Sequence, residues 1–153
     1  MWKFWKNTIL GTPPDPQPQR VDTALVIIDM QYVDAHPDYG IGAREKELGL
    51  AGSLDYYWGR LRESVVPNIQ RLLATARRVW VEVIHVKVGS QTKDGRDNTL
   101  RYKARRGKYP GTHQALNSKE AQILTEVKPE GDELVVSKLT SSVFSSINIG
   151  KVH

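Results

Sequence analysis

The chain has 153 residues, 39% of them apolar and none of them cysteine, with a formal charge of +5. That length suits one domain or part of one. The missing cysteine excludes disulfides, thiolate metal sites and a cysteine nucleophile within these residues.

Mean hydropathy is -0.46, lean for a doubly wound α/β protein whose central strands are almost wholly apolar. No apolar run approaches the ~20 residues that a membrane helix needs, so no membrane partner is expected. The positive charge is local. From Lys87 to Lys119, nine Lys and Arg stand against Asp94 and Asp97, an excess larger than that of the whole chain, so the remainder is slightly acidic.

Residues 1–10 are aromatic and basic and read as an arm. Its start, Met1 to Lys6, runs into Asn7 and Thr8 rather than an apolar core, unlike a secretory signal. Gly11 to Gln19 carries four prolines and reads as an extended tether. Residues 1–20 are therefore taken as arm and tether, and 21–153 as one domain.

Ala24 to Ile28 is a run of five apolar residues, three of them β-branched, that ends in Asp29. Such a run predicts a strand buried on both faces of a parallel sheet. Reactive groups in open α/β sheets lie beyond the carboxyl ends of the strands. Asp29 is thus a candidate acid, against the plainer reading that it caps or turns the chain. Residues 32–60, rich in Gly, Asp and Tyr, predict a long loop, with Asp38 to Gly42 lying over the strand end.

Val65, Ile69, Leu72, Leu73 and Ala76 recur at helical spacing. Pro67 fits only the first turn, so the regular helix should begin there and end near Arg78. Val79 to Val86 predicts a second strand. Strand, helix, strand at this spacing is a βαβ unit with parallel strands and a right-handed crossover. A basic loop is expected over 87–117 and a short helix over Ser118–Glu126. Glu133 to Ser137 is a third strand that delivers Lys138 at its end.

Two strands thus end in opposite charges, Asp29 and Lys138, which suits an ion pair of structural or reactive kind. The words Val26-Ile27-Ile28-Asp29-Met30-Gln31, Pro110-Gly111-Thr112, Gly131-Asp132-Glu133-Leu134-Val135 and Lys138-Leu139-Thr140-Ser141-Ser142-Val143-Phe144 occur in this order. Together they resemble the isochorismatase-like cysteine hydrolases, which include nicotinamidases, N-carbamoylsarcosine amidases and ureidoacrylate hydrolases.

The resemblance spans about residues 22–150. It implies a three-layer, Rossmann-like α/β fold with a parallel sheet, of which this chain holds the first strands only. It also implies hydrolysis of amide or ureido C–N bonds by an Asp–Lys–Cys triad. Asp29 matches the general base and Lys138 the supporting lysine, since a thiolate is the attacking species. The family's cysteine lies in a Gly-x-x-Thr-x-x-Cys word that these residues do not contain. Ser141, Ser142, Ser145 and Ser146 have no base placed to replace it. The expectation is therefore a C-terminally incomplete hydrolase domain, inactive alone.

The resemblance also makes Gln31 and Tyr32 candidate substrate contacts, since family members line the pocket there. Arg101, Arg105 or Arg106 is a candidate to hold a substrate carboxylate, which a guanidinium fork suits. The implied partners are a small-molecule substrate and further copies of the chain, in the cytoplasm, with no cofactor. The alternative is a catalytically inactive family member acting as a binding protein. In the implied strand order, the strand at 24–28 is central, with a neighbour beyond His153 on one side.

Asp34-x-His36 resembles part of a metal site, but His85, His113 and His153 are scattered without ligand spacing, and no metal is expected. The Lys93–Lys108 run suggests nucleic acid only weakly. It is interrupted by Asp94 and Asp97, and no recognised binding motif surrounds it.

Overall fold

The structure, a computed structural model, describes residues 19–108 and 114–145, and of 105–108 the backbone alone. The arm, most of the tether, Pro110-Gly111-Thr112, His113 and the segment from Ser146 onward lie outside the described residues.

Among the described residues, three parallel strands form the sheet: β1 (Ala24–Ile28), β2 (Glu82–Val88) and β3 (Leu134–Lys138), in the order β1-β2-β3. Ile28 stands opposite Val86, and Lys138 opposite Val88. β1 is an edge of this sheet and β2 its centre.

Helix α4 (Val66–Arg78) covers one face of the sheet. Leu73 and Ala76 meet Ile27 and Val83 there, closed off by Tyr32, Leu124 and Val127. The opposite face of β1 is open, contrary to the expectation of burial on both sides. Alternation along a strand sends Val26 and Ile28 away from α4, and they are 45% and 57% exposed. Leu72, placed on the apolar face by spacing, is exposed as well.

The predicted helix over 65–78 is present, but the chain is helical well before it. Helix α3 (Asp55–Arg60) runs through a π-helical stretch, Leu61–Val65, directly into α4. Pro67 has no N–H to donate, and the wider turn comes just ahead of it, with the Val66 N–H bonded to the Leu61 carbonyl. Such local widening is how a helix absorbs a break in its ladder.

β2 starts three residues later than predicted. Val79 and Trp80 form the turn out of α4, and Trp80 has a left-handed backbone (φ 60°) and an exposed ring.

The predicted loop over 32–60 is largely helical: α1 (Tyr32–Ala35), α2 (Gly40–Glu47) and α3. The glycines that suggested a loop serve close packing. A side chain on Gly40 would meet the Val33 carbonyl at 2.0 Å, and one on Gly42 the Pro37 carbonyl at 2.3 Å.

The basic segment is likewise not all loop, for Leu100–Lys108 forms α5. The helix expected over 118–126 is absent. There the backbone lies alongside the exit of β1, with Tyr32 N–H on the Gln122 carbonyl (3.0 Å) and Leu124 N–H on the Met30 carbonyl (2.9 Å). Only Thr125–Val127 makes a 3₁₀ turn.

At the end of α4, Arg77 forks onto Glu133 at 2.8 and 3.0 Å and reaches Glu130 at 3.0 Å. Glu133 also accepts from the Glu130 N–H and faces the buried His85 ring at 3.2 Å. This cluster ties the helix to the start of β3 and the middle of β2. His85, set aside as a metal ligand, is a core residue within it.

Candidate functional site

The β1–β2 ladder closes with the Asp29 N–H on the Val86 carbonyl (2.9 Å). Asp29 itself then takes a left-handed backbone, φ 58°, a conformation rare for residues other than Gly, Asn and Asp. That kink ends the strand and turns the chain toward α1.

Lys138 is the last residue of β3, and β2 lies between it and β1. The two side chains meet across the end of β2, Lys138 Nζ to Asp29 Oδ2, at 2.8 Å. Lys138 also donates to the Ser141 carbonyl at 3.4 Å.

The pair is asymmetric. The Lys138 side chain is 6% exposed, whereas that of Asp29 is 38% exposed and lines a cavity. The second carboxylate oxygen, Oδ1, is buried and has no hydrogen-bond partner among the described residues. One oxygen of Asp29 is therefore tied to an ammonium while the other retains its acceptor capacity.

The cavity has a volume of about 790 Å³ and opens at the carboxyl ends of β1 and β2. Asp29 and Val88 form its floor, Gly40 and Ile41 come from α2, and Leu54 and Tyr102 enter from further along the chain. Its wall is acidic, with Asp34, Glu45, Glu47 and Glu120 against Arg44. Glu45 is structural: it accepts from the Ser53 hydroxyl, the Leu54 N–H and the Trp58 indole at 2.9, 2.8 and 3.3 Å. Arg44 leans on Glu47 at 2.9 Å.

Gln31 and Tyr32 stand beside the cavity and do not line it. Gln31 is fully buried, and its amide is spent on backbone groups. Tyr32 is buried too, its hydroxyl 2.8 Å from that of Thr125 and its ring beneath Lys119 Nζ at 3.7 Å. The Thr125 contact and the nearby ammonium lower its phenol below the ordinary value. Arg105 lies on α5, and its side chain is outside the described residues.

Sequence reasoning placed Ile41, within Asp38 to Gly42, over the strand end but missed Leu54 and Tyr102. The three come from separate segments that only the fold brings together. The signal that pointed nearest was the long Gly- and Tyr-rich stretch after β1, part of which does wall the cavity.

Past β2, Ser90 and Thr92 donate to Asp97, the latter at 2.7 Å, and the Gln91 N–H does so at 2.7 Å. Burial opposes this carboxylate's charge, but the two hydroxyls and the N–H outweigh it and hold Asp97 well below the usual range. The loop is thereby pinned beside the cavity floor. Among the described residues no group of His, Asp and Glu is placed to hold a metal ion. The His36 ring packs on Tyr32 and Tyr39 and accepts from the Asp38 N–H at 3.1 Å. No helix among the described residues is long and apolar enough to cross a membrane.

A parallel sheet with helices, carrying an acid and a lysine at the carboxyl ends of its strands beside a cavity, defines an open α/β protein. The Isochorismatase domain model matches residues 23–150, and the chain belongs to that family. A cysteine hydrolase from Pseudomonas syringae pv. phaseolicola 1448A is similar in structure: 26% identity, 84% of this chain and 51% of that one, TM-score 0.59. An isochorismatase family protein from Desulfovibrio vulgaris subsp. vulgaris str. Hildenborough shows 28% identity, over 80% of this chain and 55% of that one, at TM-score 0.55. N-carbamoylsarcosine amidase from Thermoplasma acidophilum shares the fold at 18% identity, over 83% and 57% of the two chains, at TM-score 0.51. The chain spans about half the length of these solved structures. No curated protein matches it.

Proposed function

We propose that this chain carries the acid and lysine of an isochorismatase-family hydrolase site acting on C–N bonds of amide or ureido type. The observation behind this reading is the asymmetric pair: Asp29 Oδ2 held by Lys138 at 2.8 Å, with Oδ1 unpartnered and the side chain on the cavity.

In this reading Asp29 takes the proton of a thiol. The thiolate attacks the carbonyl carbon, and the C–N bond breaks as the proton passes from Asp29 to the leaving nitrogen. Water then cleaves the thioester or carbamoyl intermediate, returning the thiol. Lys138, 2.8 Å from Asp29 Oδ2, balances the negative charge that moves between carboxylate and sulfur. None of the 153 residues is a cysteine, so the thiol is not among them. That same fact supports a second reading, a family member that binds such ligands without turning them over.

The test uses the 153-residue chain with nicotinamide, N-carbamoyl and ureido compounds. No turnover above buffer is expected, while ligand binding should shift the NMR signals of Asp29, Val88 and Tyr102, and Asp29→Asn should weaken it. Turnover removed by Asp29→Ala would overturn the assignment of the nucleophile. Ligand shifts confined to other regions would overturn the site.

A further inference from the structure

Gln31 lies two residues beyond the kink at Asp29 and is 0% exposed. Its carboxamide makes three hydrogen bonds of 2.8 Å: Nε2–H to the Val88 carbonyl, Nε2–H to the Ala121 carbonyl, and Oε1 from the Val88 N–H. Both donors and the acceptor oxygen of the amide are therefore engaged with main chain.

The placement of those bonds is informative. In a parallel ladder, alternate residues of one strand offer both their N–H and C=O to the same neighbour. Val86 turns toward β1, and its carbonyl receives the Asp29 N–H. Val88, two residues on, offers its groups to the same side, but β1 has already turned away. The Gln31 amide takes both of them and so serves as a substitute peptide that adds one more rung. Val88 is also the register partner of Lys138 on its other side. The amide thus links the segment that carries Asp29 to the strand residue that positions Lys138.

We propose that Gln31 is a positioning residue that sets the geometry of the Asp29–Lys138 pair. It replaces the backbone rung lost at the kink, and it does not contact substrate. Its functional weight rests on the reading of that pair as the reactive centre.

A double-mutant cycle on the full chain tests this without turnover. The coupling between Asp29→Asn and Lys138→Met is measured by denaturant unfolding in the parent chain, in Gln31→Leu, and in Val127→Ala. The last is a core truncation that touches none of the three hydrogen bonds. The coupling should persist in the parent and in Val127→Ala and vanish in Gln31→Leu. Equal coupling in Gln31→Leu and Val127→Ala would overturn the proposal.

Should Gln31→Leu fail to fold, Gln31→Glu provides the second arm. A carboxyl there can donate at most one hydrogen bond, so at least one of the Val88 and Ala121 carbonyls loses its donor. The ¹³Cγ signal of Asp29 should then move toward its position in Lys138→Met, and an unmoved signal would overturn the proposal. No coupling in the parent chain would remove the pair itself, and this inference with it. Ligand-induced NMR shifts confined to regions away from Asp29, Val88 and Tyr102, while the coupling behaves as stated, would count against the functional reading alone.

Discussion

Asp29 holds its place at a conformational cost of order 1–3 kcal/mol, typical of a non-glycine residue in a sparsely populated backbone region. The structure around it compensates through the Val86 carbonyl on one side and the Lys138 ammonium on the other. In a polypeptide that joins these residues to the family's thiol, Asp29→Ala should lower kcat/KM by roughly 10²–10⁴-fold. Lys138→Ala should do comparable damage, and the double variant should be little worse than either single one. Steady-state kinetics checks this, and losses that multiply would show that the two residues act separately. Glu133 presents the other residue-level prediction. The Arg77 fork is the main cause holding its carboxyl down to about 2 from the ordinary 4.5, aided by the Glu130 N–H and His85. A depressed carboxylate contributes stability that is present above its unfolded value and lost as pH falls through its folded value. Thermal melts should therefore reveal a loss of up to about 3 kcal/mol between roughly pH 4.5 and pH 2. Glu133→Gln should flatten that slope and lower stability at neutral pH.

Among the elements, the helices that follow β1 carry the strictest packing demand. Gly40 opens α2 at φ 46° with the Val33 carbonyl where a Cβ would be. Gly40→Ala should cost about 2 kcal/mol or more and displace Ile41 from the cavity. Denaturant unfolding together with ligand titration would check both effects. This position also explains why the region was hard to read. Glycine marks turns in a sequence because of its backbone freedom, and the same residue marks close approach between packed elements. Only the position of Val33 distinguishes the two. The strands were more legible, because a short apolar run ending in a charge has few other uses. Asp29 and Lys138 were therefore readable as strand-end residues, though not their meeting across β2. The apparent helix at 118–126 failed because its backbone groups pair with Met30 and Tyr32, a tertiary demand that local propensity does not register. Gln31, expected as a substrate contact, spends its amide on main chain for a similarly non-local reason. The family resemblance pointed to the pocket, and the partner, the end of β2, lies far away in sequence.

At the scale of the whole molecule, the described residues form a sheet covered by α4 on one face, with β1 at its edge and Val26 and Ile28 open to solvent. An exposed apolar edge strand without an edge lysine or proline is prone to pair with other chains. Ile28→Lys should raise solubility and reduce concentration-dependent association in sedimentation velocity, and unchanged association would place the sticky surface elsewhere. The same arrangement puts the acid–lysine pair, the cavity and the pinned Ser90–Asp97 loop together at the carboxyl end of the sheet. That convergence is the basis of the hydrolase reading. Its most direct test is NMR of the 153-residue chain labelled with ¹³C at Asp29 Cγ and ¹⁵N at Lys138 Nζ. The account predicts that the Asp29 carboxylate signal moves in Lys138→Met and moves again when an amide or ureido ligand fills the cavity. An Asp29 signal indifferent to both would contradict it.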